Sequence, residues 1–455
     1  MPITSINPAT GQPIQSYTEH SPQQVQEKIA QTQEAWKAWR LTSMSTRTAK
    51  LRQLATVLRN RKQQLAALMA LEMGKPVKQG LAEVEKCARC SEYYAEHAGA
   101  HLQDQLIPTE ASKSYVSFQP LGIVFAIMPW NFPLWQVIRF LAPALAAGNA
   151  ALLKHASNVP GCAIAIEEMV LEAGFPQFIF QTLLISSKQV NAVLEHPYVM
   201  AATLTGSSPA GKEVAQKAGS LLKKVVLELG GSDPYTILAD ADLEAAAEAC
   251  VNSRLINSGQ SCIAAKRFIV EAPIVEAFTG LMLQKMKAKN MGDPLDETTD
   301  IGPQARADLR EELHEQVQQS IAKGAVCLLG GEIPPGKHAF YPPTLLTNVR
   351  PGMPAYEEEL FGPVAAIIRA SDEAEAIAIA NDTEFGLGSA IFTRDLEKGE
   401  RIARNELQSG SSFVNQLVQS DSRLPFGGIK TSGFGRELGM FGIHEFVNIK
   451  TISIK

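Results

Sequence analysis

Residues 123–148 read IVFAIMPWNFPLWQVIRFLAPALAAG, and this stretch decides the fold class. Ile123–Met128 is a short apolar run with the length and composition of a buried strand. Pro129-Trp130-Asn131-Phe132-Pro133 breaks it, and Leu134–Ala147 predicts a helix that Gly148 stops. The unit then repeats. Strand Ala150–Lys154 precedes helix Cys162–Ala173, and strand Phe178–Leu184 precedes a helix ending near His196. Strand Met200–Leu204 precedes helix Ala210–Ala218, and Lys224–Leu229 closes the series. Apolar strands alternating with helices imply a parallel sheet covered on both faces, hence an α/β fold.

Upstream of this series the chain reads as helix. Ser21-Pro22 supplies an N-cap with proline just inside, ahead of Val25, Ile29, Trp36 and Trp39. A second helix starts at Ser45, runs through Leu51, Leu54, Leu58, Leu65 and Leu68, and stops at Gly74 and Pro76. Ser114–Gln119 alternates as a half-exposed strand does, and Pro120-Leu121-Gly122 marks a turn. Downstream of Gly230-Gly231, a helix runs from Asp242 to about Ile256. Strands then follow at Arg267–Val270, Ala325–Leu329, Val364–Arg369, Ser389–Thr393 and Ser412–Asn415, with a helix at Glu373–Asn381. The chain thus divides near Gly230 into two α/β units. Val447–Ile454 reads as a terminal strand with no mate in that series, which predicts pairing with the Ser114–Gln119 hairpin of another subunit.

The chain has 455 residues, a net charge of −5, 45% hydrophobic and 20% charged residues. These values fit a soluble globular protein of two or three domains and exclude a disordered chain. There is no basic excess for nucleic acid, and no apolar run of ~20 residues for a membrane span. Met1-Pro2-Ile3-Thr4-Ser5 lacks the pattern of a secretory signal, so a cytoplasmic protein is expected. Six cysteines are too few for a disulfide framework. Cys87 and Cys90 fall at helical spacing and read as packing; Cys162, Cys250 and Cys327 read as small core side chains.

Open parallel sheets bind ligands at the carboxyl ends of their strands. Polar residues collect there: Asn131, Lys154-His155-Ala156-Ser157, Thr205-Gly206-Ser207 and Glu228. The helix after Ser207 offers free N–H groups to a phosphate. Cys262, in Asn257-Ser258-Gly259-Gln260-Ser261-Cys262, lies in a glycine-containing loop where a reactive thiolate is presented. Spacing alone leaves two readings for each of these: nucleophile or buried thiol for Cys262, base or strand-end carboxylate for Glu228, ligand or surface lysine for Lys154. No strand is followed by Gly-x-Gly-x-x-Gly, so the residues alone do not establish dinucleotide binding.

Five motifs carry a resemblance beyond this point. Pro129-Trp130-Asn131-Phe132-Pro133, Leu227-Glu228-Leu229-Gly230-Gly231, Gly259-Gln260-Ser261-Cys262, Glu359-Leu360-Phe361-Gly362-Pro363 and Pro425-Phe426-Gly427-Gly428 occur in the order found in the aldehyde dehydrogenase superfamily. Within it the chain most resembles the shorter bacterial succinate-semialdehyde dehydrogenases, over nearly its whole length. The resemblance implies a variant Rossmann domain without the glycine fingerprint, at 1–113 and 130–230. It implies a catalytic domain at 231–430 and a small oligomerisation element at 114–129 and 431–455. A homodimer or homotetramer is expected.

The resemblance also implies roles. Cys262 is the expected nucleophile, attacking an aldehyde to give a thiohemiacetal that expels hydride to the nicotinamide. The Asn131 amide and the Cys262 backbone N–H stabilise the oxyanion, Glu228 activates water to hydrolyse the thioester, and Glu437 relays protons or serves as a salt-bridge partner. Lys154 is expected on the adenosine ribose, Glu359 on the nicotinamide ribose and Phe361 near the nicotinamide. Trp130, Gly206 and Ser207 line the cofactor path, with Ser207 at the pyrophosphate.

NAD-preferring members commonly carry Glu three residues after that lysine, where this chain has Ser157. The small hydroxyl leaves room for a 2′-phosphate, so NADP is expected as preferred cofactor, with NAD possible. Arg139, eight residues after Asn131, and Ser420 match positions that grip a distal carboxylate, which points to succinic semialdehyde. Arg139 capping an acidic neighbour is the plainer alternative. Related enzymes place a second arginine six residues before the nucleophile; here that position is Ile256, and Arg254 stands nearby. Two rival activities remain: a broader semialdehyde or aliphatic aldehyde dehydrogenase, and a cysteine hydrolase or acyltransferase, which needs a histidine base.

Overall fold

Strands that are apolar on both faces must be covered on both, and the helices between them do this. The computed structural model describes residues 2–336 and 338–455. Ile123–Met128 is the pivot of a six-stranded sheet. Ala150–His155 and then Phe180–Thr182 lie on one side of it, and Val199–Thr205 and then Lys224–Glu228 on the other, all parallel. The strand order therefore reverses between 123–128 and 199–205, which opens a crevice outside their carboxyl ends. Gly433–Phe434 adds an antiparallel edge against Glu228 and Leu227.

A seven-stranded sheet forms the second unit, in the order 326–329, 344–347, 364–370, 267–271, 234–237, 388–392 and 411–414. Every pair in it is parallel except 326–329 with 344–347. Two of its strands, Pro234–Ile237 and Thr344–Thr347, were not legible in the sequence. The first opens on a proline, and the second follows directly on Pro342-Pro343, so proline punctuation masks both. The N-terminal hairpin, Ile3–Ile6 with Pro13–Tyr17, was not legible either. The expected helix from Ser45 is two, Met44–Asn60 and Lys62–Met73, broken at Arg61. Gly74 ends the second in the left-handed conformation, φ 77°, that favours glycine.

The third sheet corrects two expectations. Val447–Ile454 pairs along its length with Lys113–Pro120 of its own chain, from Val447 opposite Pro120 to Ile454 opposite Lys113. Its mate is therefore not the hairpin of another subunit. The element also contains neither 123–129 nor 431–446: Ile123–Met128 is the buried centre of the six-stranded sheet, and Gly433–Phe434 is its edge. Strand 113–120 carries Gln105–Leu106 on its other side.

Two helices packed against the six-stranded sheet lack side-chain caps of their own, and carboxylates from distant helices supply them. Glu83, on Val77–His101, accepts from the N–H groups of Leu134 and Trp135, both at 2.9 Å, at the start of helix Trp135–Ala147. Glu72 accepts from Gly161 and Cys162, again at 2.9 Å, at the start of Pro160–Glu172. Negative charge at a helix N-terminus satisfies both the free donors and the dipole. Cys87, Cys90, Cys162 and Cys250 are buried, whereas Cys327 is half-buried on an edge strand rather than in the core as expected. Among the described residues no helix is long and apolar enough to cross a membrane.

Candidate active site

The crevice at the strand ends is a cavity of about 580 Å³, within the range of small-molecule sites. Trp130, Asn131, Gly206, Ser207, Cys262, Glu359 and Phe361 line it. The structure thus brings together residues from both α/β units that are up to about half the chain apart in sequence. Lys154, Ser157, Glu228, Glu437, Arg139 and Ser420 lie outside its wall.

Cys262 is held by a backbone that few sequences adopt. Asn257 and Ser258 have φ of 51° and 55°, and Gly259 follows at 77°. Left-handed non-glycine residues cost on the order of 1–3 kcal/mol each and persist only where the surroundings fix them. Here the surroundings do. Asn257 N–H donates to Gln79 Oε1 at 2.6 Å, and Gly302 N–H donates to Ser258 Oγ at 2.9 Å. The Arg254 guanidinium donates to Gly259 O at 2.5 Å, and Ala305 N–H to Gln260 Oε1 at 2.8 Å. A side chain at Gly259 would run into the backbone of Gly362 and Pro363, so the nucleophile loop and the Glu359–Pro363 motif are packed on each other.

Asn131 is buried, and its Nδ2 donates to Gln260 O at 3.2 Å. Asn257 Nδ2 in turn donates to Asn131 O at 2.7 Å. One Asn131 N–H is left for an oxyanion, and the Cys262 backbone N–H has no acceptor among the described residues. Burial pushes the Cys262 thiol up to about 12, against the opposing pull of the Arg139 and Lys266 cations. The resting group is therefore the thiol.

Glu228 ends its strand fully buried, with neither carboxylate oxygen bonded. Burial raises its pKa well above the ordinary value, and Arg139 partly offsets this. A Cβ at Gly427 would sit 2.8 Å from Glu228 Oε1, which is why the Pro425–Gly428 motif carries glycine there. Glu437 is equally buried and ion-paired with Arg139 Nε. Arg139 Nη2 donates to Thr205 Oγ1 at 3.2 Å, and its guanidinium lies over the Phe426 ring at 5.1 Å. The plainer expectations for both residues, an acid capped by Arg139 and a salt-bridge partner at Glu437, describe this pair.

On the other side of Cys262 the residues suit a nucleotide. Trp130 and Phe361 meet edge to face at 5.7 Å, and Ser207 caps helix Ser208–Ser220 without a side-chain bond, leaving first-turn N–H groups for a phosphate. The Lys154 ammonium is half-buried, makes no bond among the described residues, and has its pKa lowered by burial. Ser157 is exposed three residues on. Glu359 accepts from Gly231 N–H at 3.1 Å and pairs with Lys266 at 3.2 Å.

Three residues that sequence reasoning missed support this arrangement. Lys266 is fully buried and donates to Ser261 O at 2.9 Å and Cys262 O at 2.6 Å, tying the nucleophile's own carbonyl to Glu359. Two charged residues, Lys266-Arg267, opening a wholly buried strand are the sequence signal that was available. Lys75 pairs with Glu83 and lies over the Phe132 ring at 3.7 Å, bracing the Asn131 loop. Lys86 donates to Ser420 Oγ at 2.7 Å and covers the Trp135 ring at 4.2 Å. Neither lysine stands out in the sequence: Lys75 lies in the turn between Gly74 and Pro76, and Lys86 on a helix that reads as amphipathic. Arg254 is fully buried and serves the loop backbone. No histidine lines the cavity. His155 is bonded at both ring nitrogens, to Pro133 O and Ala156 N, and burial lowers its pKa to about 4.

Residues 1–452 match the model of the aldehyde dehydrogenase family. The chain is 49% identical to a probable NADP(+) succinate-semialdehyde dehydrogenase of Synechocystis, over all of both chains. It is 46% identical to an NAD(P)+ succinate semialdehyde dehydrogenase of Escherichia coli, over 98% of this chain and 97% of that one. A solved succinic semialdehyde dehydrogenase from Streptococcus pyogenes, in complex with NADP+, superimposes with a TM-score of 0.97 at 36% identity over 99% of each chain.

Proposed function

The chain belongs to the aldehyde dehydrogenase family, and from that premise we propose that it oxidises succinic semialdehyde to succinate with NADP as preferred acceptor. The observation that carries the reading is the half-buried Cys262 thiol at the cavity wall, with the Asn131 amide beside it and the buried Glu228 carboxyl in electrostatic reach. The Cys262 thiol gives up its proton to water in the cavity, the thiolate sulfur adds to the aldehyde carbon, and the oxyanion takes hydrogen bonds from Asn131 Nδ2 and the Cys262 N–H; losing one such donor costs ~10²–10³ in rate. When bound, the nicotinamide cofactor supplies a hydride acceptor. Glu228 then removes a proton from the water that attacks the thioester, and the sulfur leaves as thiolate. Lys154 and the open hydroxyl position at Ser157 support a 2′-phosphate. Arg139, with one terminal nitrogen unbonded among the described residues, and Ser420 support a carboxylate at the far end of the substrate.

The unpaired outer edge of strand 447–454, with Ile449 and Ile454 exposed, supports assembly as a homodimer or homotetramer. Six free thiols suit a reducing cytoplasm. An aldehyde panel run with NADP and NAD tests the central reading. Succinic semialdehyde with NADP is expected to give the highest kcat/KM; equal efficiency with uncharged aldehydes favours the broader dehydrogenase, and turnover without a nicotinamide favours the hydrolase.

A further inference from the structure

Three buried cations around this site are each paired with a carboxylate, a fourth, Arg254, is spent on the Gly259 carbonyl, and two half-buried lysines have no anion partner among the described residues. Lys75 has Glu83, Lys266 has Glu359, and Arg139 has Glu437. Lys154 has no protein partner, but it stands where the 2′-phosphate is proposed. Lys86 has only a neutral partner, the Ser420 hydroxyl at 2.7 Å, and the face of Trp135. A half-buried ammonium whose only hydrogen-bond partner is neutral is suited to receive an anion.

The surroundings say which anion. Lys86 faces Trp135 and Arg139 from helix 135–147, Ser420 and Asp421 from the loop before Pro425, and Glu83, Cys87 and Cys90 from its own helix. Asp421 is taken up by Arg423 at 2.6 Å, and Glu83 by Lys75 and the start of helix 135–147. Arg139 is the link to the reacting atoms, since it donates to Thr205, which lines the same cavity as Cys262. We propose that Lys86, not Arg139 alone, carries the charge that selects a distal carboxylate, with Ser420 Oγ as its co-donor and Trp135 as the floor. Arg139, neutralised by Glu437, orients that carboxylate with Nη1, its terminal nitrogen that has no partner among the described residues. This assignment rests on the substrate reading given above. Burial and the Arg139 charge lower the Lys86 ammonium to about 8, so an incoming carboxylate also secures the lysine's proton.

The test compares succinic semialdehyde with butanal, which has the same chain length and no carboxylate, in the full-length protein with saturating NADP. Lys86→Met is expected to raise the ratio of KM for the semialdehyde to KM for butanal at least tenfold, and Lys86→Arg to restore most of it. An unchanged ratio in Lys86→Met overturns the assignment. If the unaltered protein itself shows no preference for the semialdehyde, the substrate reading fails first, and the two failures are thereby distinguished. The unaltered protein supplies a second measure that needs no variant. Its KM for the semialdehyde, but not for butanal, is expected to rise as pH passes through 8 and 9; parallel profiles for the two aldehydes overturn the role of Lys86.

Discussion

Removing one partner of the Arg139–Glu437 pair separates its structural role from any role toward substrate. The side chains are 2% and 3% exposed, so neither charge is rehydrated when the other is lost. Breaking a buried pair from one side costs about 3–5 kcal/mol, whereas replacing both partners with apolar residues of similar size is close to neutral. Glu437→Met strands a guanidinium whose remaining contacts are the Thr205 hydroxyl and the Phe426 ring. The expected loss is therefore in the range of about 3–5 kcal/mol, with the Arg139→Met/Glu437→Met double variant recovering most of it. Urea unfolding of the four proteins in a double-mutant cycle measures the coupling. A coupling below ~0.5 kcal/mol is what independent sites give, and that result would refute the pairing argument. The cycle has a kinetic counterpart. Arg139 lowers the Glu228 pKa, so its loss lets that pKa climb further and moves the rising limb of the pH–kcat profile to higher pH.

Three further outcomes follow from the same geometry. Ser157→Glu places a carboxylate where the 2′-phosphate is proposed and is expected to lower the NADP to NAD ratio of kcat/KM at least tenfold, about 1.4 kcal/mol; an unchanged ratio removes Ser157 from cofactor choice. Because burial holds the Glu228 carboxyl protonated well above 4.5, hydrolysis of the thioester is expected to be slow in acid and to accelerate as pH rises through the elevated pKa. Glu228→Gln should abolish that limb and let the acyl group accumulate on Cys262, visible by intact-mass spectrometry; turnover at the original rate argues against the base role. Gly259→Ala forces a side chain into Gly362 O at a φ of 77°, and soluble protein of undiminished activity would show that the loop packing is not required.

The order of strands and helices from Ile123 to Glu228 was legible because each strand is apolar on both faces and each helix ends at a glycine or a polar turn. Motif residues were legible as well, through resemblance, because glycines such as Gly259 and Gly427 stand where backbone and carboxylate leave no room for a side chain. Strand Pro234–Ile237 was not, since it opens on a proline, a residue that the interior of a sheet excludes.

The sequence by itself determined the fold class, the two parallel sheets and the chemical types at the strand ends, since local apolar periodicity and turn residues are properties of neighbours in the chain. Tertiary structure alone decided that strand 447–454 pairs within its own chain, that Arg139 is held by Glu437, and that Lys86 meets the Ser420 hydroxyl and the Trp135 ring. Apart from Trp135, those partners are separated by roughly 300 residues or more, and the strength of a charge depends on what burial has removed from around it. No reading of neighbours along the chain reports that.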